Sequence, residues 1–191
     1  MLGKFIVSVV VALGLALAGS TPSFAAKNSK EEQRAEVRKT SQQILGQLYR
    51  IKPSARSAVA SAAGYAVFSN FGMKILFAGG GAGSGLAVNN ASKQEIFMKM
   101  VEVQAGLGLG VKKFRVVFIF ETQAAFNEFV NSGWEFGGQA TAAASYDQKG
   151  SAYQGAASVM PGVWVYQMTD EGLALELTGK GTKYYKNDDL N

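Results

Sequence analysis

Gly79, Gly81, Gly83 and Gly85 occupy every second position, and Gly106, Gly108 and Gly110 repeat the pattern. Successive side chains of a β-strand point to opposite faces. Each run therefore gives a strand one face with no side chains, where another backbone or a helix can approach closely. Ala140, Ala142 and Ala144 extend the idea to a third strand with methyl groups only. The pattern predicts a tightly curved or barrel-like sheet with something packed against it. A phosphate-cradling loop is the rival, and it fails on spacing. No start position in GGGAGSGLAV gives G-x-G-x-x-G, and no lysine follows at the P-loop offset. Leu86–Val88 and then Asn89 and Asn90 read as strand and turn, with no helix start to aim at an anion.

The rest of the chain after Gly64 agrees. GYAVFS, EIFMKMVEV, FRVVFIF, WEFGGQATAAAS, GVWVYQMT and LALEL are short runs rich in Val, Ile, Phe, Tyr and Trp, broken by Gly, Asn, Asp, Lys and Ser. They predict seven to nine strands between about 64 and 186. One helix interrupts them, from Thr122, its cap, to about Asn131, and residues 187–191 form a polar tail expected to fray. Trp134 and Trp164 are read as core or interface anchors. FRVVFIF is continuously apolar, whereas strands of a membrane barrel alternate.

The amino-terminus has a different character. Lys4 precedes an apolar run, Phe5–Ala18, which is too short to span a bilayer. Ser23 and Ala25 stand at the −3 and −1 positions of a small-residue cleavage site. Residues 1–25 are read as a cleaved signal peptide and 26–191 as a single domain, exported to the periplasm or secreted. Lys27, Lys30, Arg34, Arg38, Lys39, Arg50, Lys52 and Arg56 face only Glu31, Glu32 and Glu36 in residues 27–56, a net +5. Residues 57–191 hold ten basic and eleven acidic groups, so the basicity is local.

That basic segment reads as a helix over about 29–52. Ser29 with Glu32 forms a capping box, and Pro53 ends the helix because it pushes the preceding residue out of the α region. Val37, Ile44, Leu48 and Ile51 make an apolar stripe, widened by Leu45. Lys39 and Arg50 fall opposite it at ~100° per residue, while Arg34, Arg38 and Lys52 flank it. The stripe can be buried either on the domain's own sheet or in a lipid surface, and a basic outward face serves anionic lipid in both cases. A second short helix follows, from Ser54 to about Ala62. The fold class is α+β: a curved, Gly-rich, mainly antiparallel sheet or barrel-like core, an N-terminal amphipathic helix and one short internal helix.

GYAVFSNFG with the glycine-rich stretch after it resembles the opening of the SYLF domain. VQAGLGLGVKKFRVVFIFETQAAFNEFVNSGWEFGGQATAAA resembles its central portion, and VYQMTDEGLALELTGKGTKYY its end. The resemblance runs from about Ala35 to Tyr185. It implies a lipid-binding domain. Eukaryotic relatives bind phosphoinositide membranes through an amphipathic helix and a basic surface, and some regulate actin. The helix from Lys30 to Lys52 stands at the position of that lipid-binding helix. Ser69 occupies a place where the family often has proline, which implies a looser turn there.

Composition removes most catalytic chemistry. With no Cys and no His there is no disulfide, thiolate, imidazole acid–base pair or thiolate metal site. Carboxylates remain, but Asp147, Asp170, Glu171 and Glu121 show no pairing by spacing. We therefore expect no catalysis, no cofactor, no metal and no nucleic-acid partner. The expected function is association with an anionic phospholipid surface through Lys30, Arg34, Arg38, Lys39, Arg50, Lys52 and Arg56. The alternative is a structural or protein-interaction module of the envelope, or a homo-oligomer, without a lipid ligand.

Overall fold

A computed structural model describes residues 22–75, 78–105, 110–136, 145–146, 153–170, 172–173 and 181–191. Helices α1 (Pro22–Ile51) and α2 (Ala55–Ser61) lead into strands β1 (Gly64–Ile75), β2 (Ala78–Asn89), β3 (Glu95–Ala105) and β4 (Gly110–Phe120). Helix α3 (Gln123–Ser132) follows. Then come β5 (Trp134–Phe136), β6 (Ser145–Tyr146), β7 (Ala157–Met160), β8 (Val163–Thr169), β9 (Gly172–Leu173) and β10 (Thr182–Lys186). All ten strands belong to one antiparallel sheet, in the order β5-β10-β3-β2-β1-β4-β8-β7-β6, with β9 paired to β8. That is one strand more than the pattern predicted, because short pieces such as β6 and β9 leave too little periodicity to read.

The sheet is strongly curled. In the strand order, β10 lies four steps from β4, about 19 Å on a flat sheet. Yet the Phe118 and Tyr184 rings are 4.9 Å apart, and Trp134 of β5 stands 5.5 Å from Phe118. The curled face encloses Phe68, Phe118, Phe120, Met98, Met100 and Tyr184, with Phe126 and Phe129 of α3 packed over them. Trp134 is an anchor of this cluster, as its sequence context predicts. Thr122 caps α3, its hydroxyl accepting from the Ala125 amide at 3.2 Å. Gly133 then closes the helix with a positive φ, where a Cβ would stand 2.8 Å from the Tyr184 carbonyl.

Gly79, Gly81, Gly83 and Gly85 share the register of Lys74, Gly72, Asn70 and Phe68 in β1, so they line one face of β2. That is the parity expected. What fills it at Gly85 is the ring of Phe68 from the next strand, which a Cβ there would overlap, together with the Val67 backbone carbonyl at 2.7 Å. A helix does come close at Gly64, where a Cβ would run into Phe126 of α3. Gly106, Gly108, Ala140, Ala142 and Ala144 lie outside the described residues. β1 runs without a break through Ser69, paired with Ser84 and Arg115, so no turn forms at the position read as one.

FRVVFIF is continuously apolar because both faces of β4 are covered. Phe114, Val116, Phe118 and Phe120 point into the curl or lie at its edge. Val117 and Ile119 point outward, under Ile44 and Leu48 of α1 and Ala58 and Val59 of α2. Burying Ile44 and Leu48 contributes about 1.5–3 kcal/mol each. The stripe of α1 is thus docked on the protein's own sheet, with Val37 packed against Leu86, Phe97 and Leu190. Ile51 departs from it: the residue is 40% exposed, because the chain turns away towards Pro53 and α2.

The described part of the first helix runs from Pro22. Ser29 therefore sits inside the helix, accepting from Gln33 Nε2 at 3.4 Å instead of capping it. Most of the expected signal peptide lies outside the described residues, and no described helix is long and apolar enough to cross a membrane. The carboxy-terminal tail does not fray. Asn191 exchanges two hydrogen bonds with the Phe97 backbone, at 2.9 and 2.8 Å, and Leu190 is buried. An amide side chain can mimic a strand partner in this way, which the acidic residues beside it conceal.

Burial raises the pKa of the Tyr184 and Tyr166 phenols above the ordinary 10.0, that of Tyr166 to about 12, with Glu102 adding to the effect at Tyr184. Both folded-state values exceed the unfolded one, so their contribution to stability is complete below pH 10.0 and is lost as pH rises beyond it. Phenolate absorbance is expected to show these two groups titrating only with unfolding. Ordinary titration of all seven tyrosines before the melt would refute this.

Candidate functional site

Helix α1 carries most of the basic residues, and tertiary contacts divide them. Arg34 and Arg38 are engaged. Arg34 Nε donates to the Leu190 carbonyl at 2.8 Å and its Nη1 to Glu31 at 3.2 Å. Arg38 Nε donates to Glu95 Oε2 at 2.7 Å and Nη1 to Glu31 Oε1 at 3.2 Å. Both guanidinium groups lie over the Phe97 ring, at 6.0 and 5.1 Å. The Glu95 hydrogen bond, then that of Glu31, pushes the Arg38 pKa up. Arg34 and Arg38 together hold Glu31 below its ordinary value. The pair is a clamp that fastens α1 to β3 and to the carboxy-terminal turn. The Arg38–Glu95 pair, each partner about one-third exposed, is worth about 0.2–1 kcal/mol, and the contacts over Phe97 add a similar amount.

The other five expected residues point elsewhere. Lys39 is 67% exposed, with only Glu36 nearby at 3.8 Å. Arg50 is exposed and borders a groove between α1 and the sheet, and Lys30 is exposed near the amino-terminal end. Lys52 donates to Gln154 at 2.7 Å, and Arg56 lies 4.6 Å over the Tyr49 ring. The seven residues therefore form no single patch. Arg34 and Arg38 face the β3 edge, Lys39 faces outward, Arg50 borders the groove, and Lys52 and Arg56 gather at the α1–α2 corner.

A groove of about 700 Å³ opens between α1 and the outward face of β1, β2 and β4. Glu36, Thr40, Gln47 and Arg50 line it from the helix, and Ser69, Ser84 and Arg115 from the sheet. Ser69 stands in register with both Ser84 and Arg115, so the three share the outward face on neighbouring strands. Arg115 was missed in the sequence reading. Its signal was there: it is the one charge inside FRVVFIF, on the outward parity with Val117 and Ile119. Arg115 Nη2 donates to Asp170 Oδ1 at 2.8 Å, while Nη1 is closed off from solvent and has no partner among the described residues.

The carboxylates read as solvated turn charges are partly in use. Asp170 pairs with Arg115, and Glu121 accepts from Trp164 Nε1 at 3.1 Å while Trp164 stacks on Tyr153. Asp147 and Glu171 lie outside the described residues. Among the described residues no three acidic side chains cluster to hold a metal ion.

Residues 101–191 match the Ysc84 family model, described as Las17-binding protein actin regulator. That segment contains Arg115 and Asp170 but none of the α1 residues. Beta cell expansion factor A of Aeromonas veronii is 31% identical over 162 residues, which is 84% of this chain and 59% of the relative. The chain thus spans less than two thirds of that relative's length.

Proposed function

Since the chain belongs to the SYLF family, carrying its Ysc84 domain over residues 101–191, we propose that it is a non-catalytic protein that binds anionic membrane surfaces. Lys30, Lys39, Arg50, Lys52 and Arg56 supply the attraction. Arg34 and Arg38 are positioning residues that keep α1 seated. The observation that carries the reading is the docking of α1. Ile44 and Leu48 are buried on the sheet, while Lys39, 67% exposed, stands on the opposite side of the helix. The helix then acts as a rigid basic face, with no need to leave the domain. With the leader removed after export, that face would meet the lipid of the envelope.

The magnitudes predict a weak, salt-dependent association. Each cation near an anionic surface contributes about 1 kcal/mol, so four or five give ~4–5 kcal/mol, a dissociation constant near the millimolar range. Screening over ~8 Å at physiological salt lowers this further. Vesicle sedimentation tests it. The Lys30→Glu, Lys39→Glu double variant is expected to lose about tenfold in retention on anionic vesicles at low salt, with an unchanged melting temperature. Equal retention of the native protein on neutral and anionic vesicles would defeat the electrostatic mechanism. The family description names a protein partner, which favours a second reading as an interaction module. A mass that rises with concentration, with no response to lipid, would select that reading.

A further inference from the structure

We propose that the cavity between α3 and the β7–β8 turn binds a small organic cation, an apolar body that carries one protonated amine. Phe129, Trp134 and Met160 take the apolar body, and Glu128 meets the ammonium group. None of the described lining comes from α1, so the site stands apart from the membrane reading.

Protein interiors pack as densely as organic crystals and leave few voids larger than a water molecule. Beside the aromatic cluster inside the curl, however, about 270 Å³ is open between Phe120, Phe129 and Trp134 on one side and Met160, Pro161 and Val163 on the other. Phe120 and Phe129 are buried members of that cluster, whereas Ala125, Trp134 and Met160 are only partly covered. Apolar atoms that border a void lose dispersion contacts on that side. An apolar cavity of about 150 Å³ is already enough to bind benzene. This one has room for a substituted ring.

Charge decides which small molecule suits it. Glu128 is the one charged residue of the described lining, and it makes no hydrogen bond or ion pair with a described residue. Thr122, the other polar side chain there, already caps α3. Glu121 lies against the same β7–β8 turn, its amide donating to the Gly162 carbonyl at 2.9 Å, and brings a second carboxylate nearby. The carboxy-terminal end of α3, which Gly133 closes, adds partial negative charge. An acidic ligand would be repelled by all three. An alkylamine, with a pKa of about 10.4 like that of lysine, stays charged at neutral pH and pairs with Glu128. Glu128 is exposed, so the attraction is modest and the apolar body supplies most of the affinity.

The test uses the full chain and three probes of nearly equal shape: 2-phenylethylamine, 2-phenylethanol and phenylacetate. The two tryptophans give two indole N–H signals in a proton–nitrogen NMR spectrum, and Trp164→Phe assigns them. The amine should shift the Trp134 signal and leave that of Trp164 in place, with a dissociation constant on the order of 1 mM, the scale for about nine non-hydrogen atoms. The alcohol should bind about threefold more weakly and phenylacetate about tenfold. Glu128→Gln should bring the amine down to the level of the alcohol with an unchanged melting temperature. Ala125→Leu fills the cavity from α3 and should abolish the response to every probe.

A Trp134 signal that no probe moves, or that the amine moves as far in Ala125→Leu, overturns the site. Equal affinity for amine, alcohol and acid, in the native protein and in Glu128→Gln alike, overturns the choice of a cation and leaves an apolar cavity without charge preference. Tighter binding of phenylacetate than of the amine overturns it too. Should Ala125→Leu fail to fold, the ranking of the three probes and its loss in Glu128→Gln still decide.

Discussion

Replacing Phe118 with alanine is expected to cost about 3–5 kcal/mol, the range for deleting a buried aromatic ring. Phe118 is the residue through which the two ends of the curled sheet meet. Its ring lies 5.9 Å from Phe68 of β1, 5.1 Å from Phe129 of α3, 5.5 Å from Trp134 of β5 and 4.9 Å from Tyr184 of β10. Several of these contacts are edge-on, which adds to the area they bury. Neighbouring strands cannot move in to fill the void, because ladder hydrogen bonds fix their spacing. At roughly 2–4 °C per kcal/mol for a domain of this size, the melting temperature should drop by about 6–20 °C. Urea unfolding with Trp134 fluorescence gives the free energy directly. A loss below about 1 kcal/mol would mean that the curl is held elsewhere.

Leu48→Asp is the second large effect. Leu48 is fully buried between α1 and the outward face of the sheet, in a cluster of apolar side chains that would desolvate a carboxylate. An unpaired buried charge costs several kcal/mol even after relaxation. Lifting α1 off the sheet costs less than unfolding the curled core, to which α1 contributes no side chain among the described residues. The expected result is a detached helix. Trypsin should cut after Arg34, Arg38, Lys39 and Arg50 much faster than in the native protein, while the Trp134 environment changes little. Ile51→Asp is the control, because Ile51 is 40% exposed although it belongs to the same sequence stripe. If Leu48→Asp melts the whole domain in one step, α1 is an integral part of the fold and cannot be described as docked.

The clamp also changes how charge variants must be read. Converting Arg34, Arg38 and Lys39 together to Glu looks, from the sequence, like a clean removal of a lipid site. In the structure Arg34 and Arg38 hold Glu31, Glu95 and the Leu190 carbonyl, so carboxylates there would face carboxylates and a carbonyl. Loss of binding in that triple variant would mix a lost surface with a loosened helix. Lys39, 67% exposed and paired within α1 to Glu36 alone, separates the two.

Much of the scaffold is written in the sequence because near neighbours decide it. Period-two glycines fix which face of β2 is bare, since strand geometry allows no other reading of alternation. Pro53 stops α1, and Thr122 starts α3, through contacts within four residues. The continuous apolar run of β4 announces coverage on both sides without naming what covers it. The resemblance carried by three motif blocks agrees with the family match, because order and spacing survive where single residues change.

Other features come only from folding. Gly85 leaves space, but that Phe68 fills it depends on which strand lies alongside. Arg38 meets Glu95 across 57 residues and Arg34 meets Leu190 across 156, so one basic stretch splits into a clamp and an outward face. Asn191 and Leu190 look like a loose end until β3 offers them a strand edge and an apolar slot. Arg115 and Asp170 lie 55 residues apart and become partners only when β4 pairs with β8. Sterics and periodicity act over a few residues and can be read along the chain. Coulomb pairs and ring contacts act over a few ångströms in space, and only the tertiary structure determines which residues come that close.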